Sequence, residues 1–400
     1  MHKPDLSAAD QCVMCGMCQP HCPTYAVNHI ESESPRGRLA MILGISKGDL
    51  TPDISITKHL NNCTGCGACE AMCPSRVPYM QLIDDAKQLT QSISKQSIAL
   101  KMLLFLTRHP ARYSLLDKIL RGKHLGNLLR TFNLLKKDTT SLQNAIQTTA
   151  ARTSLQAFNH AKGEVLGNIG LFTGCITQLF DHKTLTDTIT LLTHCGYNVH
   201  TPSQQVCCGA LHQHNAQPNV AQQLNKQNQS VFKTKTLDAI ISTSTGCTTQ
   251  LATQLHDINI FDIMQFIDEK QLLKTLKLKS VKNKIAVHEP CSQRNQLKLK
   301  TITPLLNQIP DTDIDDLANN QLCCGAGGAN LITQNTASIQ LKQLKVDAIN
   351  TLSPDILVTT NYGCALHIAS GLQTDTNLSQ NKQIEILHPV SLLVRSASLK

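Results

Sequence analysis

Two stretches of the chain carry ligand chemistry on their face. Gln11–Tyr25 reads QCVMCGMCQPHCPTY and Asn62–Tyr79 reads NCTGCGACEAMCPSRVPY. Each holds four cysteines in the order C-x2-C-x2-C-x3-C-P: Cys12, Cys15, Cys18 and Cys22, then Cys63, Cys66, Cys69 and Cys73. Three thiolates two residues apart can wrap one face of an iron–sulfur cubane, and the fourth, just before a proline, reaches the other cluster. The spacing therefore predicts two [4Fe–4S] clusters, one on Cys12, Cys15, Cys18 and Cys73, the other on Cys63, Cys66, Cys69 and Cys22. Zinc sites usually pair C-x2-4-C with a distant second pair and do not run three ligands together. Disulfides are excluded by geometry, because near neighbours at this spacing cannot form four bridges.

A second set of cysteines lies in a duplicated half. Cys175, Cys207, Cys208 and Cys247 are followed by Cys291, Cys323, Cys324 and Cys364. The first two of each set are 32 positions apart in both copies, and the second and last are 40 apart in one (Cys207 to Cys247) and 41 in the other (Cys323 to Cys364). Each pair of adjacent cysteines precedes a glycine (Gly209, Gly325), which lets the backbone turn so that both sulfurs face one object. These eight could hold an additional cluster, form a redox disulfide, or stay free thiols facing the first domain. Cys195 has no counterpart in the second copy and reads as a small core residue.

The elements that must position these ligands follow from pattern. Ser34-Pro35 ahead of Arg36–Leu43 reads as a cap, a first-turn proline and a helix. An insert of this length between the boxes argues for a helical ferredoxin layout, with a further helix over Met80–Leu89. Ser92–Arg152 looks helical with breaks at His109-Pro110, Gly122 and Gly126, and its Lys101–Lys137 stretch is basic and amphipathic. That stretch suits either an anionic membrane surface or a linker with a solvated basic face. In each copy of the duplicated half, short apolar strands alternate with helices (Ile169–Thr173, Leu185–Leu192, Tyr197–His200 and Ala239–Ser242 in the first; Lys284–His288, Pro304–Gln308 and Asp355–Thr360 in the second), and Ile258–Ile267 aligns with Ile384–Leu393. Such alternation predicts mainly parallel sheets covered by helices, with cysteines at strand ends. The fold class is thus α+β multidomain: an N-terminal helical two-cluster ferredoxin domain (1–95), a helical linker (96–160), and two duplicated α/β cysteine-rich (CCG) modules (161–275 and 280–398).

Composition narrows the function. Apolar residues make up 41% of the chain, aromatics 3%, and there is no tryptophan, which argues against a nucleic-acid module built on aromatic stacking. The formal charge of +9 falls once eight thiolates and two clusters with cores near 2+ are counted, to about +5, and no nucleic-acid partner is expected. Met1–Asp10 has no apolar h-region and no run reaches the length of a membrane span, which points to a reducing, cytoplasmic setting with the option of a peripheral seat on the inner face of the cell membrane. Gly325-Ala326-Gly327-Gly328-Ala329-Asn330 lacks the last glycine of a dinucleotide loop, and no flavin or NAD site is evident. The chain reads as a wire without a hydride acceptor, with no catalytic residue of its own and a flavoprotein as partner.

These motifs resemble the iron–sulfur subunit of bacterial glycolate oxidase (glycolate dehydrogenase). The likeness is carried by both cysteine boxes, Ser34-Pro35-Arg36-Gly37-Arg38, Cys207–His212, Ser244–Cys247, His288-Glu289-Pro290-Cys291, Leu322–Gly325 and Asn361–His367. It implies an iron–sulfur electron-transfer subunit that takes electrons from flavin-containing dehydrogenase subunits oxidising glycolate to glyoxylate and passes them toward the quinone pool or another membrane acceptor. The same cysteine-rich domain resembles parts of lactate and anaerobic glycerol-3-phosphate dehydrogenases and of heterodisulfide reductase, so an equivalent subunit there, or a thiol–disulfide enzyme, is the alternative. Heterodisulfide reductases end the motif in C-x-x-C, whereas here it reads Cys247-Thr248-Thr249-Gln250 and Cys364-Ala365-Leu366-His367. One sulfur is missing from each module, and His367 could stand in as a ligand or be a plain helix residue. His212 and His214 read as ligands, proton relays or supporting residues, His21 as a modulator of its neighbour Cys22, Arg36 and Arg38 as cluster-facing or helix-surface cations, and Tyr25 and Tyr79 as apolar shields.

Overall fold

A computed structural model of the 400-residue chain describes residues 4–93, 96–113, 115, 154–233, 235–373 and 384–399. Most of the expected helical linker, and most of its basic stretch, lies outside the described residues; within them Ile98–Thr107 is helical and His109-Pro110 ends it.

The N-terminal domain is helical, as its sequence requires. Ser34 caps the helix Pro35–Lys47 by accepting a hydrogen bond from Gly37 N, with Pro35 in the first turn where its missing N–H costs nothing. A second helix, Tyr79–Thr90, follows the second box. Leu39 and Ile42 of the first and Leu82, Ile83 and Ala86 of the second build a core that closes over Cys63 and Cys69.

The duplicated half contains two sheets. The first runs β1 (Phe158–Asn159), β3 (Tyr197–His200), β2 (Gly167–Phe172), β4 (Ala239–Ser242), β5 (Ile260–Asp262), with only β1 antiparallel. The second runs β7 (Ile314–Asp316), β6 (Ile285–His288), β8 (Ile356–Thr359), β9 (Glu385–Leu387), all parallel. Leaving β1 aside, the two orders are the same, second-first-third-fourth within each copy. The direction of winding therefore switches between the first and third strands, where an open parallel sheet leaves a crevice at its carboxyl edge. β4 and β8 are buried along their whole length, as parallel strands covered on both faces must be.

The two modules share one core. Leu191 and Leu192 of the helix His182–His194 pack in the same apolar cluster as Val390, Leu392 and Leu393 of the helix Pro389–Ser396, with Ile169, Ile241, Val287 and Val358 from the central strands. Cys195 belongs to this cluster and makes a 3.6 Å contact with Thr275 Oγ1, the small core residue its lone position suggested.

The ferredoxin domain docks on both modules. Against the first, His214 Nδ1 lies 3.2 Å from Asp84, and just past the domain Gln96 Nε2 of the linker donates to Asn215 O. Against the second, the approach is at backbone level: Asn295 Nδ2 donates to Cys66 O (3.0 Å) and Gln296 Nε2 to Gly65 O (2.8 Å). Gly327 sits so close that a β-carbon there would fall 1.8 Å from Thr64 O. Gly327→Ala should therefore push the second module off the ferredoxin domain, with an overpacking cost of roughly 1–3 kcal/mol. Urea unfolding of the intact chain, together with limited proteolysis between residues 90 and 155, should show lower stability and faster cleavage; unchanged behaviour in both would mean that this approach does not hold the domains together.

Candidate metal centres

The first eight cysteines converge on two neighbouring cavities. One is lined by Cys12, Cys15, Cys18 and Cys73, and also by Cys69. The other is lined by Cys22, Cys63, Cys66 and Cys69. Pro35, Cys69 and Tyr79 line both and so form the partition between them. Cys22, Cys63, Cys66 and Cys69 are buried, Cys12, Cys18 and Cys73 half-buried, and Cys15 exposed.

Such cavities suit a group with soft-ligand chemistry. Burial pushes the Cys18 thiol up to about 11 and raises those of Cys22, Cys66 and Cys69 as well. Thiolates in such places call for a coordinating cation. Donors are also in place: Gly65 N donates to Cys63 Sγ at 3.5 Å and the buried Tyr79 hydroxyl lies 4.0 Å from the same sulfur. The donor set, its enclosure and its hydrogen bonds fit an iron–sulfur cluster in each cavity.

The helix Pro35–Lys47 delivers one arginine to each cavity. Arg36 lines the first, paired with Glu31 at 2.8 Å and reaching Met14 O. Arg38 lines the second and is 1% exposed, not a helix-surface residue. Its guanidinium donates to His59 O (2.8 Å), Thr24 Oγ1 (3.0 Å), Glu33 O (2.6 Å) and the Glu33 carboxylate (2.5 Å). Thr24 Oγ1 in turn lies 3.2 Å from Cys22 Sγ. Burial opposes the charge on Arg38, but Tyr79, Cys63, Cys22 and Glu33 outweigh it and hold the group ionised. Glu33 is tied down by His59 Nδ1 (2.7 Å) and Asn62 Nδ2 (2.9 Å), so the cation has a fixed seat.

In the first cysteine-rich module Cys175 and Cys207 are 3.5 Å apart, and Cys208 and Cys247 belong to the same cluster. Cys175 follows β2 and Cys247 follows β4, on either side of the switch point. Phe172, Phe180, Leu106 and Tyr113 pack around these sulfurs. In the second module Cys291 and Cys323 are 3.7 Å apart and Cys324 and Cys364 are 3.1 Å apart. Gly209 and Gly325 have φ of +88° and +92°, the left-handed turn anticipated after each cysteine pair, and each donates its N–H to the sulfur two residues back. Cys323 also packs against Cys66, so the second module meets the second ferredoxin cavity directly.

The histidines divide among the readings their sequence left open. His367 is buried in the helix Tyr362–Leu372, with Nε2 3.3 Å from Ser338 Oγ, and is not among the groups that converge with the sulfurs. His212 is fully buried, its Nδ1 3.0 Å from Gln217 Oε1; His21 is exposed. Tyr79 walls both cavities, while Tyr25 lines neither and instead edges onto His29. His288, quoted in sequence only as part of a motif, comes within 4.8 Å of both Cys324 and Cys364 through a ring nitrogen. Its place at the carboxyl end of β6, three residues before Cys291, was the available signal.

Comparison with known proteins follows this geometry. The profile described as 4Fe-4S dicluster domain matches residues 8–77, and that described as Cysteine-rich domain matches 169–252 and 285–369. The chain is 25% identical over 424 aligned positions to the probable glycolate oxidase iron-sulfur subunit of Bacillus subtilis, spanning 97% of this chain and 94% of that protein. It is 26% identical over 396 positions to the glycolate oxidase iron-sulfur subunit of Escherichia coli, spanning 91% and 90%. Lactate utilization protein A of Shouchella clausii matches 56% of this chain, at 25% identity, over 98% of its own length.

Arg38→Met removes a buried cation and strands Glu33. Breaking such a pair costs roughly 3–5 kcal/mol, and the cluster in the second cavity should move to a more negative potential while the first is little changed. Chemical unfolding and an EPR-monitored redox titration measure the two effects; a full-strength fold and an unmoved potential would remove Arg38 from the centre.

Proposed function

We propose that this homologue of glycolate oxidase iron–sulfur subunits is the electron-transfer subunit of a 2-hydroxy-acid dehydrogenase complex, with glycolate as the substrate. Flavin-containing partner subunits would oxidise glycolate to glyoxylate, and a quinone would be the final acceptor, reached from a peripheral position on the inner face of the cell membrane. Among the described residues no helix is long and apolar enough to cross a membrane, consistent with a peripheral position. The observation that carries the reading is the pair of adjacent cysteine-lined cavities with a shared wall.

In this reading Cys12, Cys15, Cys18 and Cys73 hold one [4Fe–4S] cluster and Cys63, Cys66, Cys69 and Cys22 the other. When bound, the clusters carry single electrons. The protein's part is to space, insulate and bias them. Tyr79, Pro35 and Leu39 exclude water from the partition, Arg36 and Arg38 supply positive charge, and the buried second site faces the cysteine-rich half through Cys66. Exposed Cys15, flanked by Val13 (68% exposed) and Met17 (54% exposed), marks the side where a partner would exchange electrons with the first site. The eight cysteines of the duplicated half are further ligand candidates, on the evidence of their paired sulfurs.

The test is anaerobic purification of the chain with whatever binds it. About eight irons per chain are expected, with flavoprotein subunits retained and both cluster signals reduced on adding glycolate. Cys66→Ser should abolish one signal and Cys15→Ser the other. Reduction by lactate or glycerol 3-phosphate in place of glycolate would reassign the substrate, and an iron-free, colourless protein would end the proposal.

A further inference from the structure

We propose that the large cavity where the ferredoxin domain, the linker helix and both cysteine-rich modules meet is the place at which a quinone takes electrons from the second cluster, with Lys87 and His214 binding its ring oxygens. The proposal rests on the electron-transfer reading above and adds to it the acceptor's seat on this chain. The cavity holds about 950 Å³, at the upper end of the roughly 300–1,000 Å³ of sites that enclose a whole small molecule. Its wall is drawn from the helices Ile54–Asn61 and Tyr79–Thr90 of the ferredoxin domain, Ile98–Thr107 of the linker and Asn330–Thr333 of the second module, with His214 from the first.

Placement makes this cavity an electron exit. Cys63 lines both it and the second cysteine-lined cavity. A molecule seated here therefore lies against a ligand of the buried cluster, the one that exposed Cys15 does not serve.

The lining says what kind of molecule fits. Lys58, Lys87 and His214 line the cavity, and among the described residues no Asp or Glu does. Lys87 is 7% exposed, yet no carboxylate or other acceptor among the described residues engages its amine. His214 turns Nδ1 to Asp84, which leaves Nε2 without a partner among the described residues. Asn330 is buried in the same wall, and its amide nitrogen has no hydrogen-bond partner. The unengaged groups are donors, so the molecule they suit brings acceptor oxygens. The remaining wall is more apolar than polar, with buried Leu100 and the exposed Ile54 and Ile98. A flat ring bearing carbonyl oxygens and an apolar tail meets both demands, whereas a hydrophilic anion meets the lysines alone.

The reaction balances with what the chain supplies. Reduction of the quinone takes two electrons and two protons and turns both ring C=O groups into C–OH. The electrons arrive singly through the second cluster, which the oxidised hydroxy acid refills by way of the flavin subunits and the first cluster. Asp84 holds the His214 ring so that a protonated Nε2 can hand one proton to a ring oxygen and regain it from solvent. The second proton comes from water at the other oxygen, and Lys87 supports the negative charge that builds before the protons arrive.

The experiment uses the full chain with its clusters, purified anaerobically with its partner subunits, and two probes: decylubiquinone and an azidoquinone photolabel. The label should fall on peptides covering 54–63, 87–100 or 328–335 and be displaced by excess decylubiquinone. After reduction with dithionite and removal of the excess, decylubiquinone should reoxidise the clusters, followed by EPR. Lys87→Met should slow this about tenfold or more at low quinone concentration, and His214→Gln should slow it at saturating quinone. Ala99→Trp, which fills the cavity from the linker helix, should abolish labelling and reoxidation with iron content and cluster signals unchanged. Label on other segments, label that decylubiquinone does not displace, or full-rate reoxidation in both Lys87→Met and Ala99→Trp would overturn the proposal. So would displacement of the label by citrate but not by decylubiquinone, which would make the cavity an anion site. If glycolate fails to reduce clusters that still pass electrons to decylubiquinone after dithionite, the glycolate reading alone is lost.

Discussion

Negative charge at close quarters is the constraint around which the N-terminal domain is built. A cluster core near 2+ held by four thiolates carries about −2, and two such sites share a wall made of Pro35, Cys69 and Tyr79. Repulsion across so thin an apolar partition would be severe without compensation, because low polarizability strengthens every charge interaction. The answer lies in one turn of one helix. Arg36 and Arg38, two residues apart, reach different cavities, and Gly37 between them lets the turn press on the Glu31 backbone, where a β-carbon would fall 2.0 Å from the carbonyl oxygen. The deeper cation is itself expensive to bury, which explains why all three of its nitrogens donate, to Glu33, Thr24 and His59 O.

The second constraint is contact between the two halves. Cys291 opens the segment Ser292–Gln296, and that same segment sends Asn295 and Gln296 to the carbonyls of Cys66 and Gly65. One short stretch thus fixes a sulfur of the second module and the loop carrying a sulfur of the ferredoxin domain. Hydrogen bonds to backbone carbonyls set loop positions more tightly than contacts between long side chains would, since little conformational freedom remains to be lost. Among the described residues the first module makes no such hydrogen bond to a cysteine box; His214 meets Asp84 of the ferredoxin domain, while Gln96 and Arg108 of the linker reach Asn215 O and Gln217 Oε1.

Much of this was legible in the chain itself, for identifiable reasons. Cubane ligand spacing is a local property, so the boxes could be read directly, and the side chains that converge on each cavity are those the spacing grouped, with Cys69 additionally shared. The repeated intervals of 32 and about 40 residues exposed the duplication because a conserved strand order imposes them. The capped helix at Ser34 and the strands at Tyr197 and Ala239 were equally plain. What escaped was long-range. Arg38 lies on a helix whose local pattern does not mark it as buried, and its partners Glu33, Thr24 and His59 are brought to it only by folding. The meeting of Cys66 with Cys323, 257 positions apart, has no signature in either neighbourhood.

The duplication also shows how a shared frame can carry unlike chemistry. Both sheets switch direction between their first and third strands, and both place cysteines at the carboxyl ends flanking that point. The frame dictates where the sulfurs stand but not what surrounds them. Phe172, Phe180 and Tyr113 share the buried cluster of the first set, where Gly209 N donates to Cys207 Sγ and the buried His212 favours the Cys207 thiolate. Around the second stand His288, held neutral by burial that lowers it to about 3, and the buried Lys345, lowered by burial to about 8 and donating to Asn319 O. In both copies the cysteine that accepts from the glycine N–H, Cys207 or Cys323, is held well below the usual thiol range, chiefly by the neighbouring thiols, and in the second the Lys345 amine adds a cation beside Cys324 and Cys323. The polar copy is also the one pressed against Cys66. Divergence at a few wall positions, with strand order and sulfur spacing retained, thus gives the two sulfur sets different neighbours, and it is the second set that lies next to a ferredoxin cavity.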